Sequence, residues 1–231
     1  MPTARATLRW LRTTLLHVGS FAITLLVWIW VQRTRLGAGA SGAIIIGGTV
    51  LVVPAAVAAR RWLDRDPTPA RLRTTTFLLH WVIMILLGAA IIEAIETGSS
   101  WRGWTLPLPP VIGRALLGIT GLACALTVLN LAGRGLGAPW TIALSRRLAT
   151  DWLYRWTRNP MGLATMAFLV SWGLWIRSAL FVAWVVLLVT PAWLLFVKIF
   201  EERELELRFG DSYRSYRART PMFIPGPQRQ R

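Results

Sequence analysis

Long apolar runs, separated by short segments rich in arginine, limit the fold of this sequence more than any other feature. A helix that crosses a bilayer needs about 20 predominantly apolar residues. The sequence contains runs near this length, together with a shorter one, at residues 15–31, 43–59, 77–95, 111–131, 161–175 and 179–200. These runs predict an all-α, polytopic membrane helical bundle of about five to six transmembrane helices.

The first and the fifth run each leave an alternative open. Residues 15–31 resemble a signal peptide in position, but they lack a small-residue cleavage site and more spans follow, so they predict a first transmembrane helix. Only residues 176–178 separate the last two runs, which predicts a helical hairpin. Because the first arm of the hairpin is short, both a full crossing and a re-entrant hairpin are open.

The charge of the chain predicts its orientation. A net charge of +16 would suit a nucleic-acid-binding protein, but a soluble domain of that kind is not 55% hydrophobic. With the N-terminus inside, 21 basic residues fall on the inner side and 5 on the outer side. This asymmetry predicts a multi-pass membrane protein with both termini cytoplasmic, which contacts membrane lipids and no nucleic acid.

The chain divides into three predicted parts. Residues 1–132 form about four N-terminal spans, residues 133–225 form a core, and residues 226–231 form a disordered tail. The core opens with a predicted helix on the inner membrane surface, since apolar residues recur every four positions at Leu144, Leu148, Trp152 and Trp156. No metal site is predicted, because the chain has one cysteine and two histidines that lie far apart.

Residues that could bind a ligand or take part in catalysis flank the hairpin. Arg-Asn-Pro-Met at 158–161 opens it, and proline suits the start of a helix. Glu-Glu-Arg-Glu-Leu-Glu-Leu-Arg-Phe-Gly at 201–210 follows it, with the glycine as a predicted helix stop and Asp211 as the N-cap of a short helix. Tyr213 and Tyr216 lie three residues apart, so they share one face of that helix.

This pattern, with its Pro-x-x-Ile-Pro ending, resembles the isoprenylcysteine carboxyl methyltransferase and phospholipid methyltransferase superfamily. The resemblance covers residues 133–225 and also includes Gly135, Pro139, Arg147-Leu148 and Tyr154-Arg155. It implies a transmembrane helical fold and S-adenosylmethionine as methyl donor, bound by the hairpin and the cytoplasmic tail. The residues that fall on the family's cofactor motif are Arg158, Asn159, Pro160, Glu201, Glu202, Tyr213 and Tyr216.

These residue types suit the donor. Carboxylates can pair with its ammonium group or accept hydrogen bonds from its hydroxyls, and an arginine can pair with its carboxylate. Aromatic rings can stack on adenine or face the sulfonium. Each residue also has a simpler interpretation: the glutamates as a solvated helix face, the tyrosines as interfacial aromatics and the arginine as a positive-inside anchor.

Three residues of the third run are further candidates. His80, near its inner end, is a candidate catalytic base, or else a packing histidine. Arg158 is a second catalytic candidate, without an assigned role. Glu93 and Glu96 lie near its outer end. Carboxylates at membrane depth are functional candidates, whereas carboxylates at the interface are solvated.

The sequence departs from many relatives at two places. Relatives carry tyrosine and glycine after Arg-Asn-Pro-Met, where this chain has Gly162 and Ala164. Relatives also carry Gly-Pro where this chain has Trp152-Leu153. A small residue at 162 either opens room near the cofactor or weakens the site.

The first hypothesis for function is a methyltransferase that uses S-adenosylmethionine and acts on a lipophilic or small acceptor, at a carboxylate, a thiol or an amine. The alternative is a catalytically inactive relative that serves as a membrane scaffold or binding module. A transporter ranks third, because no internal repeat is evident. The sequence leaves the oligomeric state open.

Overall fold

A computed structural model describes residues 4–100, 104–133 and 147–227. Over these residues the named elements are ten α-helices, two π-helical turns and a 3-10 turn at Trp152–Arg155. The α-helices are α1 (Ala4–Arg33), α2 (Ala38–Val50), α3 (Val52–Asp64), α4 (Pro69–Ser100), α5 (Pro110–Gly133), α6 (Pro160–Trp175), α7 (Ala179–Trp184), α8 (Thr190–Phe196), α9 (Glu202–Phe209) and α10 (Asp211–Arg219).

Five helical segments of the described residues are long and apolar enough to cross a membrane. They are Thr14–Arg33, Ala38–Asp64, Pro69–Gly98, Pro110–Asn130 and Ala179–Phe209. The second segment combines α2 with α3, and the fifth runs from α7 to α9. Helix α6 is a shorter apolar helix of 16 residues. The predicted all-α polytopic bundle is therefore confirmed.

The fifth segment contains two π-helical turns, Val185–Val189 and Val197–Glu201. A π turn accommodates one extra residue, so it changes which way the following side chains face. Such turns occur frequently at functional sites. The second turn ends at Glu201, so it sets the direction of the glutamates that follow the hairpin.

The hairpin turn lies beside the connection between α4 and α5. Leu106 donates its backbone N–H to the carbonyl of Arg177 at 2.8 Å, and Arg177 Nε donates to the carbonyl of Leu106 at 3.1 Å. Helix α6 packs closely on α5 at Gly113, where a Cβ atom would lie 2.5 Å from the backbone of Trp175. Both connections therefore lie at the same end of the bundle, as the charge pattern predicts.

Two apolar clusters form the core on either side of Trp193, which packs against both. One joins α3 and α4 to α8 and its following turn, through Val52, Ala56, Leu63, Leu72, Leu79, Ile83, Phe196, Val197 and Phe200. The other joins α4 to the hairpin, through Ala90, Ala94, Met166, Leu169, Phe181, Trp184, Val185 and Val189. The hairpin therefore lies within the packed part of the bundle.

Three local predictions need correction or fall outside the described residues. Residues 147–151 are not helical and Trp152–Arg155 form a 3-10 turn, so the described part of the predicted surface helix is wrong, while Leu144 lies outside the described residues. Gly210, at φ +52°, is itself the N-cap of α10, and Asp211 is the first helical residue. Of the predicted disordered tail, residues 228–231 lie outside the described residues.

Candidate active site

The predicted site residues meet at the end of the hairpin opposite its turn. Arg158, just before α6, and Glu202, at the start of α9, form an ion pair with Nη1 and Oε1 2.9 Å apart. Only 11% of the arginine side chain and 13% of the glutamate side chain are exposed. Glu202 therefore does not belong to a solvated helix face, and Arg158 is not simply an exposed positive-inside residue.

The pair retains unused hydrogen-bonding capacity. Nε and Nη1 of Arg158 and Oε1 of Glu202 are buried and have no hydrogen-bond partner within the described part of the chain. The two charged atoms lie only 2.9 Å apart, but their relative orientation does not meet the geometry of a hydrogen bond. The Thr220 hydroxyl is also buried without a partner. Each unsatisfied buried group costs about 1–3 kcal/mol, so this grouping is typical of a site that binds a polar ligand.

Two buried tyrosines of α10 line the site. Tyr213 and Tyr216 are 1% and 3% exposed, and their ring centroids lie 6.4 Å apart. The predicted shared face is confirmed, and neither residue is an interfacial aromatic. Burial raises the pKa of both phenols, and the negative charge of Glu202 raises that of Tyr213 further. Both phenols therefore stay protonated and can donate hydrogen bonds.

Tyr154 joins the site although the sequence did not single it out as a site residue. Burial raises the pKa of its phenol, and the charge of Glu201 adds to this effect. Its backbone carbonyl accepts the hydroxyl of Tyr216 at 2.6 Å. The signal that could have identified it is its position in the family pattern, four residues before Arg158.

The other carboxylates of α9 have structural partners. Glu204 is 5% exposed and pairs with Arg208 at 2.7 Å. Arg203 pairs with Asp64 at 2.8 Å and so connects α9 to α3. Glu206 lies within 4 Å of three arginines, which are Arg203, Arg214 and Arg217. The acidic residues at 201–206 thus form two groups. Glu204 and Glu206 have structural partners, whereas Glu201 and Glu202 remain candidate site residues.

The C-terminal segment crosses the loop that carries Arg158. The backbone N–H of Arg158 donates to Pro221 at 2.9 Å, and the Thr157 hydroxyl donates to Met222 at 3.1 Å. Farther along, Gly226 donates its N–H to the carbonyl of Trp156 at 3.0 Å. We call residues 220–226 the strap. It holds the loop in place, and sequence reasoning identified it only as a motif ending.

Asn159 and Pro160 define how α6 begins. Asn159 is the N-cap, although its side chain makes no capping hydrogen bond, and Pro160 is the first helical residue. Proline lacks the N–H that the first turn would leave unpaired, and its fixed φ favours the start of a helix. These two residues therefore set the position of Arg158 relative to the hairpin.

Comparison with known proteins finds matches that include the segment from Arg158 to Glu202. A model of the phospholipid methyltransferase family matches residues 111–212. Methanethiol S-methyltransferase of Mycobacterium tuberculosis is 29% identical over 186 residues, which cover 74% of this chain and 70% of the relative. Methanethiol S-methyltransferase 2 of Bradyrhizobium diazoefficiens is 28% identical over 187 residues, which cover 75% and 67%. No solved structure matches at the same stringency.

The chain is thus similar to the phospholipid methyltransferase family over residues 111–212, and to two relatives that are named methyltransferases. The protein is therefore a methyltransferase with a multi-pass membrane fold. This confirms the resemblance drawn from the segments that flank the hairpin.

His80 of α4 contacts its own helix and α8. Its Nδ1 is 2.8 Å from the carbonyl of Thr76, and its ring packs edge-on against Phe196 at 5.6 Å. Since a carbonyl only accepts, Nδ1 carries the proton. These contacts agree with the packing interpretation, and a catalytic role for His80 stays a prediction.

Glu93 is not at the solvated interface. It is 5% exposed, and Oε1 accepts the hydroxyl of Ser41 while Oε2 has no hydrogen-bond partner among the described residues. It connects α4 to α2 and lies near the end of α4 that is close to the hairpin turn, far from the site along that helix.

The two departures from the family pattern now have physical accounts. Trp152 has φ +54°, the left-handed region in which a residue with a Cβ atom pays about 1–2 kcal/mol, so glycine in relatives is understandable. Gly162 is buried, and a Cβ atom there would lie 2.5 Å from Trp193 Nε1. The room that a glycine leaves at 162 is therefore filled by the chain's own indole.

Proposed function

We propose that this membrane methyltransferase transfers a methyl group from S-adenosylmethionine to the sulfur of a small thiol. Two matched relatives are named methanethiol S-methyltransferases, which favours a thiol acceptor. The observation that carries the proposal is the Arg158–Glu202 pair, whose opposite charges lie 2.9 Å apart with buried polar atoms that lack hydrogen-bond partners.

The residues present fit the donor. Its amino-acid end carries one carboxylate and one ammonium, and Arg158 and Glu202 offer the complementary charges side by side. The first turn of α6 adds backbone N–H groups and the positive end of a helix dipole, which also favour an anion. Glu201 can accept hydrogen bonds from donor hydroxyls, and the rings of Tyr154 and Tyr213 can face adenine or the sulfonium.

The chemistry asks the protein mainly for alignment. When bound, S-adenosylmethionine supplies a methyl group on a cationic sulfur; this methyl passes to the acceptor sulfur, the thiol proton leaves to water, and the donor departs as a neutral thioether. Proximity and orientation of two bound reactants account for a large share of such a rate enhancement. The tyrosines stay protonated, so they contribute hydrogen bonds and no charge that would compete with the arginine.

We also propose that the site faces the cytoplasm of a bacterium, with both termini on that side. The basic residues favour this orientation by 21 to 5. A cysteine placed at exposed Ser215, in a background with Cys124 replaced by alanine, tests it. Labelling of intact cells by a membrane-impermeant maleimide should fail and should succeed after lysis; labelling of intact cells would reverse the orientation.

A transfer assay tests the reaction. Purified protein in detergent receives methyl-labelled S-adenosylmethionine together with methanethiol, a prenylated cysteine or a lipid with an amine headgroup. Label should appear in a volatile thioether and in neither of the other products. Label in a carboxyl ester or a lipid amine would refute the thiol assignment, and no transfer to any acceptor would support the inactive-scaffold alternative.

A further inference from the structure

We propose that Trp193 sets the length of the acceptor, so that the site takes short alkyl thiols and rejects longer ones. The proposal rests on the thiol S-methyltransferase function proposed above. It concerns the space beside Gly162, at the membrane side of the Arg158–Glu202 pair.

The contact between Trp193 and Gly162 leaves no free space in the first turn of α6. A Cβ atom on Gly162 would lie 2.5 Å from Nε1 of the indole, 3.3 Å from Cε2 and 3.4 Å from Cδ1. Real side chains do not approach this closely, so the indole and a side chain at 162 exclude each other. Trp193 therefore occupies the volume that a larger residue at 162 would need.

Packing holds the indole in this position. Trp193 borders both apolar clusters, and its ring centroid lies 5.3 Å from that of Phe196. Its buried N–H has no hydrogen-bond acceptor among the described residues. The indole is therefore held by packing and not by a hydrogen bond within the described part of the chain.

The chain itself indicates from which side an acceptor arrives. The strap pairs with residues 156–158, and Tyr213 of α10 lies close enough to the pair to feel the charges of Glu202 and Arg158. From the pair, the first turn of α6 leads past Gly162 and toward Trp193. An alkyl chain that extends from a sulfur at the site would run along this direction, where the indole stops it.

The test is a homologous series of thiols. Wild type and Trp193→Ala are compared in kcat/KM for methanethiol, ethanethiol, butanethiol and hexanethiol, with labelled S-adenosylmethionine in excess. The wild type should lose activity steeply with chain length. In Trp193→Ala, the ratio of butanethiol to methanethiol should rise at least about tenfold, because one methylene in an apolar pocket already discriminates by that factor.

Trp172→Ala is the matched control. Trp172 also lies in the hairpin and has a buried, unpaired indole N–H, but it packs against Phe168 and Trp175, toward the hairpin turn. Its removal deletes the same volume away from the proposed path, so the chain-length profile should stay that of the wild type. Calorimetric binding of S-adenosylmethionine verifies that each variant is folded.

The outcomes separate the two proposals. If wild type methylates no thiol, the proposed function fails. If wild type methylates thiols and Trp193→Ala keeps the wild-type ratio, or if Trp172→Ala changes it equally, the assignment of Trp193 is refuted. Should Trp193→Ala not fold, Trp193→Phe replaces it, and this smaller ring should shift the ratio in the same direction by a smaller factor; an unchanged ratio refutes the assignment.

Discussion

Substitution of Arg158 distinguishes two roles of the Arg158–Glu202 pair, a structural ion pair and a binding site for the methyl donor. Removal of one partner from a buried pair costs about 3–5 kcal/mol, because the other charge is left buried. Here about a tenth of each side chain remains exposed, so Arg158→Gln should cost near the lower end, about 3 kcal/mol. Thermal unfolding of the detergent-solubilised protein, followed by tryptophan fluorescence, measures this loss.

Donor binding should fall in the same variant for a separate reason. A hydrogen bond to a charged group contributes about 1.5–3 kcal/mol. At 1.4 kcal/mol per factor of ten, loss of the Arg158 contact should raise the Kd for S-adenosylmethionine about 10- to 100-fold. Isothermal titration calorimetry below the unfolding midpoint measures the Kd of each folded variant.

Arg203→Gln is the control for this prediction. Arg203 follows Glu202 directly, and its ion pair with Asp64 has a similar 2.8 Å distance. Its side chain and that of Asp64 are 31% and 35% exposed, so the pair contributes at most about 1 kcal/mol. Arg203→Gln should therefore leave the Kd unchanged.

The double variant completes the cycle. In Arg158→Gln with Glu202→Gln no unpaired charge is left buried, so stability should partly recover relative to the sum of the single losses, with a coupling of about 0.5–3 kcal/mol. Donor affinity should not recover, because both charges that the donor would contact are gone. If the folded single variants bind S-adenosylmethionine like the wild type, the assignment of the pair as donor site is wrong.

Three further predictions concern the surroundings of the site. Tyr216→Phe removes the hydroxyl that donates to Tyr154 at 2.6 Å and should lower the free energy of unfolding by about 1 kcal/mol, measured by thermal unfolding. Gly210→Ala forces a Cβ atom onto a backbone with φ +52° and ψ −126°, which residues other than glycine rarely adopt, and should cost about 1–3 kcal/mol, although nothing lies within 4 Å of that atom. Ser41→Ala leaves the buried carboxylate of Glu93 without its hydroxyl donor and should cost about 1–3 kcal/mol, with donor affinity unchanged.

For each of these predictions, one experimental outcome would contradict the reasoning. Gly118→Ala, in α5 with nothing within 4 Å of the new Cβ atom and no positive φ, should not destabilise; an equal loss there would remove the backbone explanation for Gly210. A Tyr216→Phe protein as stable as the wild type would show that the hydroxyl bond adds nothing to folding. A loss of donor affinity in Ser41→Ala would connect Glu93 to the site.

The all-α class and the hairpin were predictable because they depend on local properties. A helix in a bilayer pairs its own backbone groups, so a run of apolar residues of sufficient length defines a span by itself. Gly210 ends a helix because few other residues adopt its positive φ. Tyr213 and Tyr216 share a face because helical spacing requires it.

The surface helix was predicted wrongly because periodicity reports only what a segment would do alone. The residues around Trp152 and Trp156 fit an amphipathic pattern, yet Trp156 accepts a hydrogen bond from Gly226 and Thr157 donates to Met222. These contacts with the strap compete with helical pairing of the loop. The sequence gives no sign of them, because the partners lie about 65 residues later in the chain.

By itself, the sequence determined that this chain is a bundle of membrane helices with a family motif at both ends of a hairpin. Tertiary structure decided which of the acidic residues of α9 meets Arg158, that the strap closes over the loop, and that Trp193 fills the space at Gly162. The length of an apolar run and the charge of its flanking residues are properties of one segment of the sequence. Pairing and exclusion of volume depend on the packing of two hairpin arms, which is fixed only when the whole bundle has formed.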